Sequence, residues 1–462
     1  MNMCVSTRAG RSVRPVHRSM IGGCLAAALV LSVLPASAGA QVPASELQQA
    51  LKKEKADRGT AAFYRTRGYQ PLWVQGGTLS PAADELLHLV ETSYFDGLDP
   101  DAYRPRNLAA AIRKAREGSP KALAKAEALL SRTLAAYVRD VSRPRDVDMI
   151  YVDRELAPPN HSPGTILAAA ASAPSLEHYL RNVGWMHPVY GELRTSFEAA
   201  HRTGRVTGAH AALLHLNMDR ARALPPRISG RHILVDAAAA KLYLYENGKV
   251  QDTMKVVVGK TDLQTPMMAG LIRYAMVNPY WNIPPDLVQT RIAPNVLDQG
   301  MGYLKAKRYD VLSDWSEKAK IVDPKSIDWK AVAAGRTQLP VRQRPGTDNA
   351  MGKMKFMFPN KQGVYLHDTP DKDLFKEADR GRSAGCVRVE DAPRLAKWLF
   401  GKPIKATSKK PEQRVDMPAP VPVYITYLTA APDGPGVAFR EDFYNRDATQ
   451  MARMNGRLLA SR

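Results

Sequence analysis

The sequence predicts an α+β protein of 462 residues, helical in its first part and mainly β in its second. In residues 41–195, apolar side chains recur at the spacing of amphipathic helices. From His232 onward, apolar and polar residues alternate with a period of two, as in half-buried strands. The stretch 286–353 breaks this alternation, and a long non-strand insertion of this kind is commonly functional. We therefore expect a helical domain followed by a sheet domain with an insertion.

The helical part is punctuated by proline, glycine and cap residues. We expect helices at 44–55, 80–91, 108–116, 122–140 and 175–183. Ser80 and Asn107 are the predicted caps of the second and third of these, with Pro81 at a first helical position. Residues 96–100, Asp-Gly-Leu-Asp-Pro, predict a turn. The aromatic residues of 63–73 predict core packing, since exposed aromatic side chains are the exception.

The sheet part begins with residues 232–260, which predict three strands joined by two turns. Asn247-Gly248 is a strong hairpin signal within this stretch. The later elements expected are a strand at 272–278, a helix at 391–400, a strand at 421–429 and a basic helical tail at 429–462.

The first forty residues have the pattern of a secretory signal peptide. Four arginines and no acid precede an apolar run at 21–34 that is too short to span a bilayer comfortably. Two Ala-x-Ala sites follow, and we favour cleavage after Ala40, with an uncleaved membrane anchor as the alternative. We therefore expect an exported protein.

The net charge is +21, and loss of the four arginines of residues 1–40 leaves 21 − 4 = +17. A basic surface suits a polyanionic partner, such as an anionic wall polymer or an anionic membrane surface. Nucleic acid is not expected, because the chain has no zinc-finger spacing and no RNP-like aromatic motif. A diffuse basic surface without any partner is the open alternative.

The cysteines are Cys4, Cys24 and Cys386, so cleavage after Ala40 leaves a single thiol. An unpaired thiol is a liability in an oxidising compartment. We therefore expect that Cys386 is present for its reactivity.

Cys386 lies nineteen residues after His367, in the small-residue turn Ser383-Ala384-Gly385-Cys386. A thiol nucleophile needs an imidazole within hydrogen-bond reach to take its proton. It also needs backbone N–H groups that face the substrate oxyanion, and Gly385 permits close approach of the backbone. The flanking apolar residues predict two short strands, with His367 ending one and Cys386 starting the other.

This arrangement, His, fifteen residues, then Ser-x-Gly-Cys-apolar-Arg, resembles the signature of the L,D-transpeptidase family with its YkuD-type catalytic domain. The flanking LHDTP and RGRSAGCVRVEDAPRLAKWLF segments resemble the family as well. YRTRGYQPLW and DGLDP resemble the helical scaffold domain of its large periplasmic subfamily. The resemblance covers most of the chain beyond about Tyr64. Ala384 departs from it, because many smaller members have histidine there.

The resemblance implies a division of the chain into functional regions. These are a signal peptide at 1–40, a helical scaffold domain at 41–195, a helical linker or eroded peptidoglycan-binding region at 196–228, a catalytic domain at 229–428 with a capping insertion at 286–353, and a tail at 429–462.

The resemblance also implies a reaction on peptidoglycan stem peptides. Cys386 attacks the carbonyl of the third stem residue and releases the terminal D-alanine, while His367 moves the protons. The expected supporting residues are Gly385 and Ser383 for the oxyanion and the turn, and Arg388, Tyr365 and Trp281 for substrate. A structural ion pair at Arg388 and a packing role for Trp281 are equally open.

Other chemistries have less support in the sequence. The chain has no HExxH motif and no paired cysteine cluster that would predict zinc, and no glycine-rich loop that would predict nucleotide. No cofactor is expected. Serine motifs of the G-x-S-x-G and S-x-x-K types are missing as well. The alternatives left are an L,D-carboxypeptidase that uses the same cysteine with water as acceptor, and a wall-binding scaffold protein without activity.

Overall fold

The computed structural model describes residues 43–460 except 144, 207, 227–229, 317 and 434–435, and only the backbone of 454–460. The predicted signal peptide and its cleavage site lie outside the described residues. The expected α+β architecture is confirmed, with helices first and strands second.

Helices build the first part around one continuous core. They are α1 (Ala44–Lys53), α2 (Arg58–Thr66), α3 (Ala82–Glu91), α4 (Pro105–Ala115), α5 (Pro120–Val141), α6 (Pro163–Ser172), α7 (Leu176–Arg181), α8 (Pro188–Arg202) and α9 (Gly208–Arg222). Short strands accompany them: β1 (Val74–Gln75), β2 (Thr78–Leu79) and β3 (Ile150–Tyr151). Helix α8 runs through residues 195 and 196, and α9 packs in the same core as the helices before it.

Two predicted helix caps are wrong. Helix α4 begins at Pro105 with Arg104 as its cap, so Asn107 lies inside the first turn. Helix α3 has Pro81 at its cap position, and the Ser80 hydroxyl is buried without a hydrogen-bond partner among the described residues. In both places a proline, whose fixed φ suits a first turn, decides where the helix begins.

Two buried carboxylates hold the helical part together. Glu127 on α5 accepts hydrogen bonds from the Tyr64 hydroxyl (2.8 Å) and the Trp73 backbone N–H (3.0 Å). Asp96 accepts from the hydroxyls of Tyr137 and Tyr190, both at 2.7 Å. These carboxylates thus anchor the aromatic segment and the Asp-Gly-Leu-Asp-Pro turn that the sequence singled out, and the aromatic side chains pack in the core.

Strands build the second part. They are β4 (Arg231–Asp236), β5 (Lys241–Glu246), β6 (Lys249–Gly259), β7 (Met268–Val277), β8 (Trp281–Ile283), β9 (Tyr309–Val311), β10 (Val341–Gln343), β11 (Met354–Met357), β12 (Leu366–His367), β13 (Gly381–Ser383), β14 (Val387–Val389), β15 (Gln413–Thr426), β16 (Ala430–Asp433) and β17 (Gly436–Phe439). The helices among them are α10 (Pro285–Leu287), α11 (Ala293–Gln299), α12 (Gly302–Ala306), α13 (Trp329–Ala333), α14 (Ala392–Phe400) and α15 (Arg446–Ala460).

The main sheet closes on itself. Its order is β11-β12-β14-β6-β5-β4-β15-β7, and β7 also pairs with β11. Asn247 and Gly248, both at positive φ, form the predicted hairpin between β5 and β6. Strand β3 of the helical part pairs with β7, so the first part of the chain contributes to the same sheet.

The insertion expected at 286–353 lies in a small unit that begins earlier, because β8 at residues 281–283 belongs to its sheet and Ile283 to its core. A three-stranded sheet of order β8-β10-β9 packs with short helices around a separate core that includes Val288, Ile292, Trp329 and Val341.

The C-terminal segment differs from the predicted helical tail because a hairpin, β16–β17, precedes its helix α15. The loop between β17 and α15 is anchored, because Tyr444 is buried in the core of the sheet domain.

Candidate active site

His367 and Cys386 lie on neighbouring strands of the closed sheet. Strands β12 and β14 are parallel, with Leu366 opposite Val387 and His367 opposite Arg388. The Val387 N–H donates to the Tyr365 carbonyl at 3.1 Å. Because alternate residues of a strand face the same side, this register places the side chains of Tyr365, His367, Cys386 and Arg388 on one face.

The imidazole of His367 is buried and held in one tautomer. Its Nδ1 lies 2.6 Å from the Asp368 carbonyl oxygen, which can only accept, so Nδ1 carries the proton and Nε2 keeps its lone pair. Burial, with a smaller contribution from the nearby Arg388 cation, lowers the pKa of His367 to about 3. The ring is therefore neutral at physiological pH and free to accept a proton at Nε2.

The Cys386 thiol is half-buried, and its Sγ donates to the Gly363 carbonyl at 3.4 Å. Burial raises the pKa of the Cys386 thiol to about 11. The Tyr365 backbone N–H and the cations Arg388 and Lys355 act in the opposite direction, towards the thiolate. The thiol is thus protonated at rest, and a base must remove its proton before it can attack.

The turn before the cysteine is shaped by Ser383. Its buried hydroxyl donates to the Cys386 carbonyl at 2.5 Å and accepts from the Gly385 N–H at 3.2 Å. Gly385 has φ +104°, which an L side chain rarely adopts. The Cys386 N–H makes no hydrogen bond to any described residue. The Gly385 N–H, at the residue expected to serve the oxyanion, is thus already engaged by Ser383, whereas the Cys386 N–H is available.

Two cations, Lys355 and Arg388, lie near the thiol, and each is paired with a carboxylate. Lys355 on β11 lies opposite His367, is buried, and pairs with Glu412 at 3.1 Å. Its ammonium group also lies 5.9 Å from the centre of the Tyr365 ring. Arg388 is 3.4 Å from the exposed carboxylate of Asp371. This face is suited to a substrate carboxylate or a developing oxyanion.

Trp281 lies in a different setting. It belongs to β8, opposite Gln343 of β10, and packs half-buried against the core of the insertion. The structure thus places Trp281 with the insertion and not on the strands that carry His367 and Cys386.

Thr265 was not among the predicted site residues. Its buried side chain donates a hydrogen bond to the Gly385 carbonyl at 2.8 Å. Its backbone N–H donates to the hydroxyl of Tyr444 in the C-terminal segment. These partners lie 120 and 179 positions away in the chain, so no local motif could reveal them.

The described residues contain no group of three or more histidine, cysteine, aspartate or glutamate side chains suited to a metal ion. Within the same residues, no helix has the length and apolar character needed to cross a membrane.

Comparison with known proteins identifies both parts of the chain. A family model described as the L,D-transpeptidase catalytic domain (YkuD) matches residues 230–423, and one described as the Scaffold domain matches residues 58–196. A putative L,D-transpeptidase of Haemophilus influenzae is 31% identical over 241 residues, covering 51% of this chain and 48% of that protein. The chain thus spans about half the length of the curated relative that it matches.

Solved structures give more distant matches. An L,D-transpeptidase from Mycobacterium smegmatis has 13% identity and a TM-score of 0.21, covering 43% of this chain and 58% of that one. A mutant Enterococcus faecium L,D-transpeptidase has 16% identity and a TM-score of 0.21, covering 43% and 50%. On these matches, residues 230–423 form an L,D-transpeptidase (YkuD-type) catalytic domain, and residues 58–196 before it form a Scaffold domain.

Proposed function

We propose that this protein is an L,D-transpeptidase that cross-links peptidoglycan through an acyl-enzyme on Cys386. The proposal rests on the arrangement of His367 and Cys386. A protonated thiol and a neutral imidazole with a free Nε2 share one face of two adjacent strands, inside a domain that matches the family.

The first half-reaction forms a thioester. His367 takes the thiol proton at Nε2, and the Cys386 sulfur attacks the carbonyl of the third residue of a tetrapeptide stem. The Cys386 N–H donates to the oxyanion that forms. When the tetrahedral intermediate collapses, the C–N bond breaks and His367 returns the proton to the amine of the departing D-alanine.

The second half-reaction transfers the acyl group. The amine of a neighbouring stem attacks the thioester, and His367 accepts its proton. As the new amide forms, the C–S bond breaks and His367 returns that proton to the sulfur, which regenerates the thiol. Arg388 and Lys355 would favour the carboxylate of the terminal D-alanine, with Tyr365 beside the thiol on the same face. For Arg388 the alternative is a structural ion pair with Asp371.

A second candidate function is hydrolysis by the same cysteine, that is, L,D-carboxypeptidase activity. It differs only in the acceptor, since water replaces the amine in the second half-reaction. The third candidate, a wall-binding protein without activity, is disfavoured because thiol, base and N–H donor are all present.

The test is mass spectrometry of muropeptides after incubation of tetrapeptide stems with the purified protein. Transpeptidation yields cross-linked dimers and free D-alanine, hydrolysis yields tripeptide and D-alanine, and an inactive scaffold yields neither. The Cys386→Ala variant should give no product, whereas Ala384→Ser, which changes a neighbouring side chain, should retain activity. Turnover by Cys386→Ala would remove this cysteine from the mechanism.

We further propose that the protein is exported to the periplasm with cleavage after Ala40, on the signal pattern of residues 1–40. N-terminal sequencing of the exported protein should then begin at Gln41. A start at Met1 in a membrane fraction would instead indicate an uncleaved anchor.

A further inference from the structure

The peptide unit between Gly385 and Cys386 is fixed at one end only. It carries the Gly385 carbonyl and the Cys386 N–H, which point in opposite directions in a planar trans peptide. The carbonyl accepts a hydrogen bond from the Thr265 hydroxyl at 2.8 Å, and the N–H has no partner among the described residues. Whatever holds the carbonyl therefore also sets the direction in which the N–H points.

The Thr265 hydroxyl can hold its proton in only one direction. Its oxygen accepts a hydrogen bond from the Gly259 N–H at 2.8 Å, and an N–H can only donate. The hydroxyl proton is therefore directed to the Gly385 carbonyl. Thr265 is fully buried, so water does not compete for this hydrogen bond.

The segment that carries Thr265 is itself held in place. The Tyr444 hydroxyl donates to the Gly259 carbonyl at 2.6 Å and accepts from the Thr265 N–H at 3.2 Å. A Cβ at Gly259 would lie 2.0 Å from the Leu263 carbonyl oxygen, so the loop from Gly259 to Thr265 folds back closely on itself. The Thr265 hydroxyl thus has little freedom to move away from the Gly385 carbonyl.

We propose that Thr265 is a positioning residue for the oxyanion. Its hydroxyl orients the Gly385–Cys386 peptide so that the Cys386 N–H donates to the oxyanion, and it polarises the same amide, which strengthens that donor. The stem-peptide substrate of this inference rests on the proposed function. For acyl transfer to Cys386 in general, the inference rests on the geometry of the turn alone.

The test separates acyl transfer from thiol reactivity. Acylation of Cys386 by p-nitrophenyl acetate passes through an oxyanion: the acetyl carbon bonds to sulfur, p-nitrophenolate leaves, and His367 takes the thiol proton. Alkylation by iodoacetamide displaces iodide at a saturated carbon and forms no oxyanion. Both rates are measured for the whole protein and for the variants Thr265→Val, Thr265→Ser and Thr261→Val, the last an exposed threonine of the same loop.

Thr265→Val should slow acylation by about tenfold to a hundredfold, somewhat less than the loss of a whole oxyanion donor. Its alkylation rate should stay within about twofold, because thiol and imidazole are untouched. Thr265→Ser, which keeps the hydroxyl, and Thr261→Val should both stay close to the wild-type acylation rate. With stem peptide as substrate, Thr265→Val should lower kcat and leave KM nearly unchanged.

Equal acylation by Thr265→Val and the wild type would overturn the proposal. So would a parallel loss of acylation and alkylation, because that result would mean a displaced thiol or a disturbed fold. If the wild type leaves stem peptides unchanged while its acylation by the ester still depends on Thr265, the proposed function fails and the positioning role stands.

Discussion

His367 lies where burial and a neighbouring cation both disfavour a charged ring. Its Nδ1 proton is committed to the Asp368 carbonyl, so that only Nε2 can exchange protons with a substrate or with Cys386. In the proposed mechanism, this neutral state is the one that accepts the thiol proton, and it persists down to a pH near the lowered pKa of about 3.

The first prediction concerns the pH dependence of acylation. A histidine with an ordinary pKa of about 6.5 would be only about 3% neutral at pH 5. With the lowered pKa of His367, the base stays neutral there, so the rate of Cys386 acylation at pH 5 should remain within about threefold of that at pH 7.

Stopped-flow acylation between pH 4.5 and 8 measures this, with circular dichroism at each pH to verify the fold. A steep fall in rate below pH 6.5 in a protein that is still folded would contradict a neutral, buried base.

Only some residues of the candidate site could be predicted from the sequence. His367, Cys386 and Ser383 stand in one short stretch whose spacing has a chemical reason. Thr265 and Tyr444 reach the same turn through hydrogen bonds across more than a hundred residues. Such partners are set by how the strands assemble, which local patterns do not encode.

Helices and strands were predictable where periodicity was strong, and less so at their ends. The hairpin at Asn247-Gly248 was expected because both residues accept positive φ, and it is present. The caps at Ser80 and Asn107 were wrong because prolines start those helices elsewhere. The hairpin β16–β17 was missed, since its two four-residue strands give little alternation to detect.

Glu127 gives the second prediction, on the stability of helix α5. All the groups that approach its carboxylate are donors, among them the Tyr64 hydroxyl and the Trp73 N–H. In Glu127→Gln, the side-chain amide nitrogen is itself a hydrogen-bond donor, and it would face groups that also donate. We expect a loss of about 1–3 kcal/mol in the free energy of unfolding at pH 8, above the pKa of about 7 to which burial raises this carboxyl.

Urea unfolding followed by tryptophan fluorescence measures this loss. Glu117→Gln, at an exposed position between α4 and α5, is the control and should change stability by less than about 0.5 kcal/mol. An unchanged urea midpoint for Glu127→Gln would mean that the carboxylate contributes no more to the free energy of unfolding than a neutral acceptor does.

The whole molecule is joined by polar contacts between its helical and sheet parts. The N–H of Val189 donates to Nδ1 of His187, so the proton of His187 lies on Nε2, 3.2 Å from Nε2 of His232 on β4. The His232 ring also stacks on Tyr245, with ring centres 4.7 Å apart. Both rings are buried where the two parts meet, and protonation of His232 at Nε2 would break the hydrogen bond.

The third prediction follows from this histidine pair. Burial lowers the pKa of His232 to about 4 and that of His187 well below its ordinary value. The unfolded chain therefore binds more protons than the folded one between about pH 4 and 6.5, and stability falls as pH falls through that range.

The double variant His187→Asn/His232→Phe removes both titrating rings, while Asn can still cap α8 and Phe can still stack on Tyr245. Its thermal midpoint should fall less than that of the wild type between pH 6.5 and 4.5. Parallel curves for the two proteins would show that other groups control the acid response.

The position of Tyr444 in the chain determines when, during synthesis, the loop from Gly259 to Thr265 can be held in place. A ribosome makes His367 and Cys386 well before it makes the residue whose hydroxyl secures the loop from Gly259 to Thr265. A nascent or truncated chain that stops short of Tyr444 carries the thiol and the imidazole but lacks this support for the turn between them. If Thr265 has the proposed positioning role, acylation of Cys386 would thus stay slow until Tyr444 has been synthesised and has taken its place against the loop.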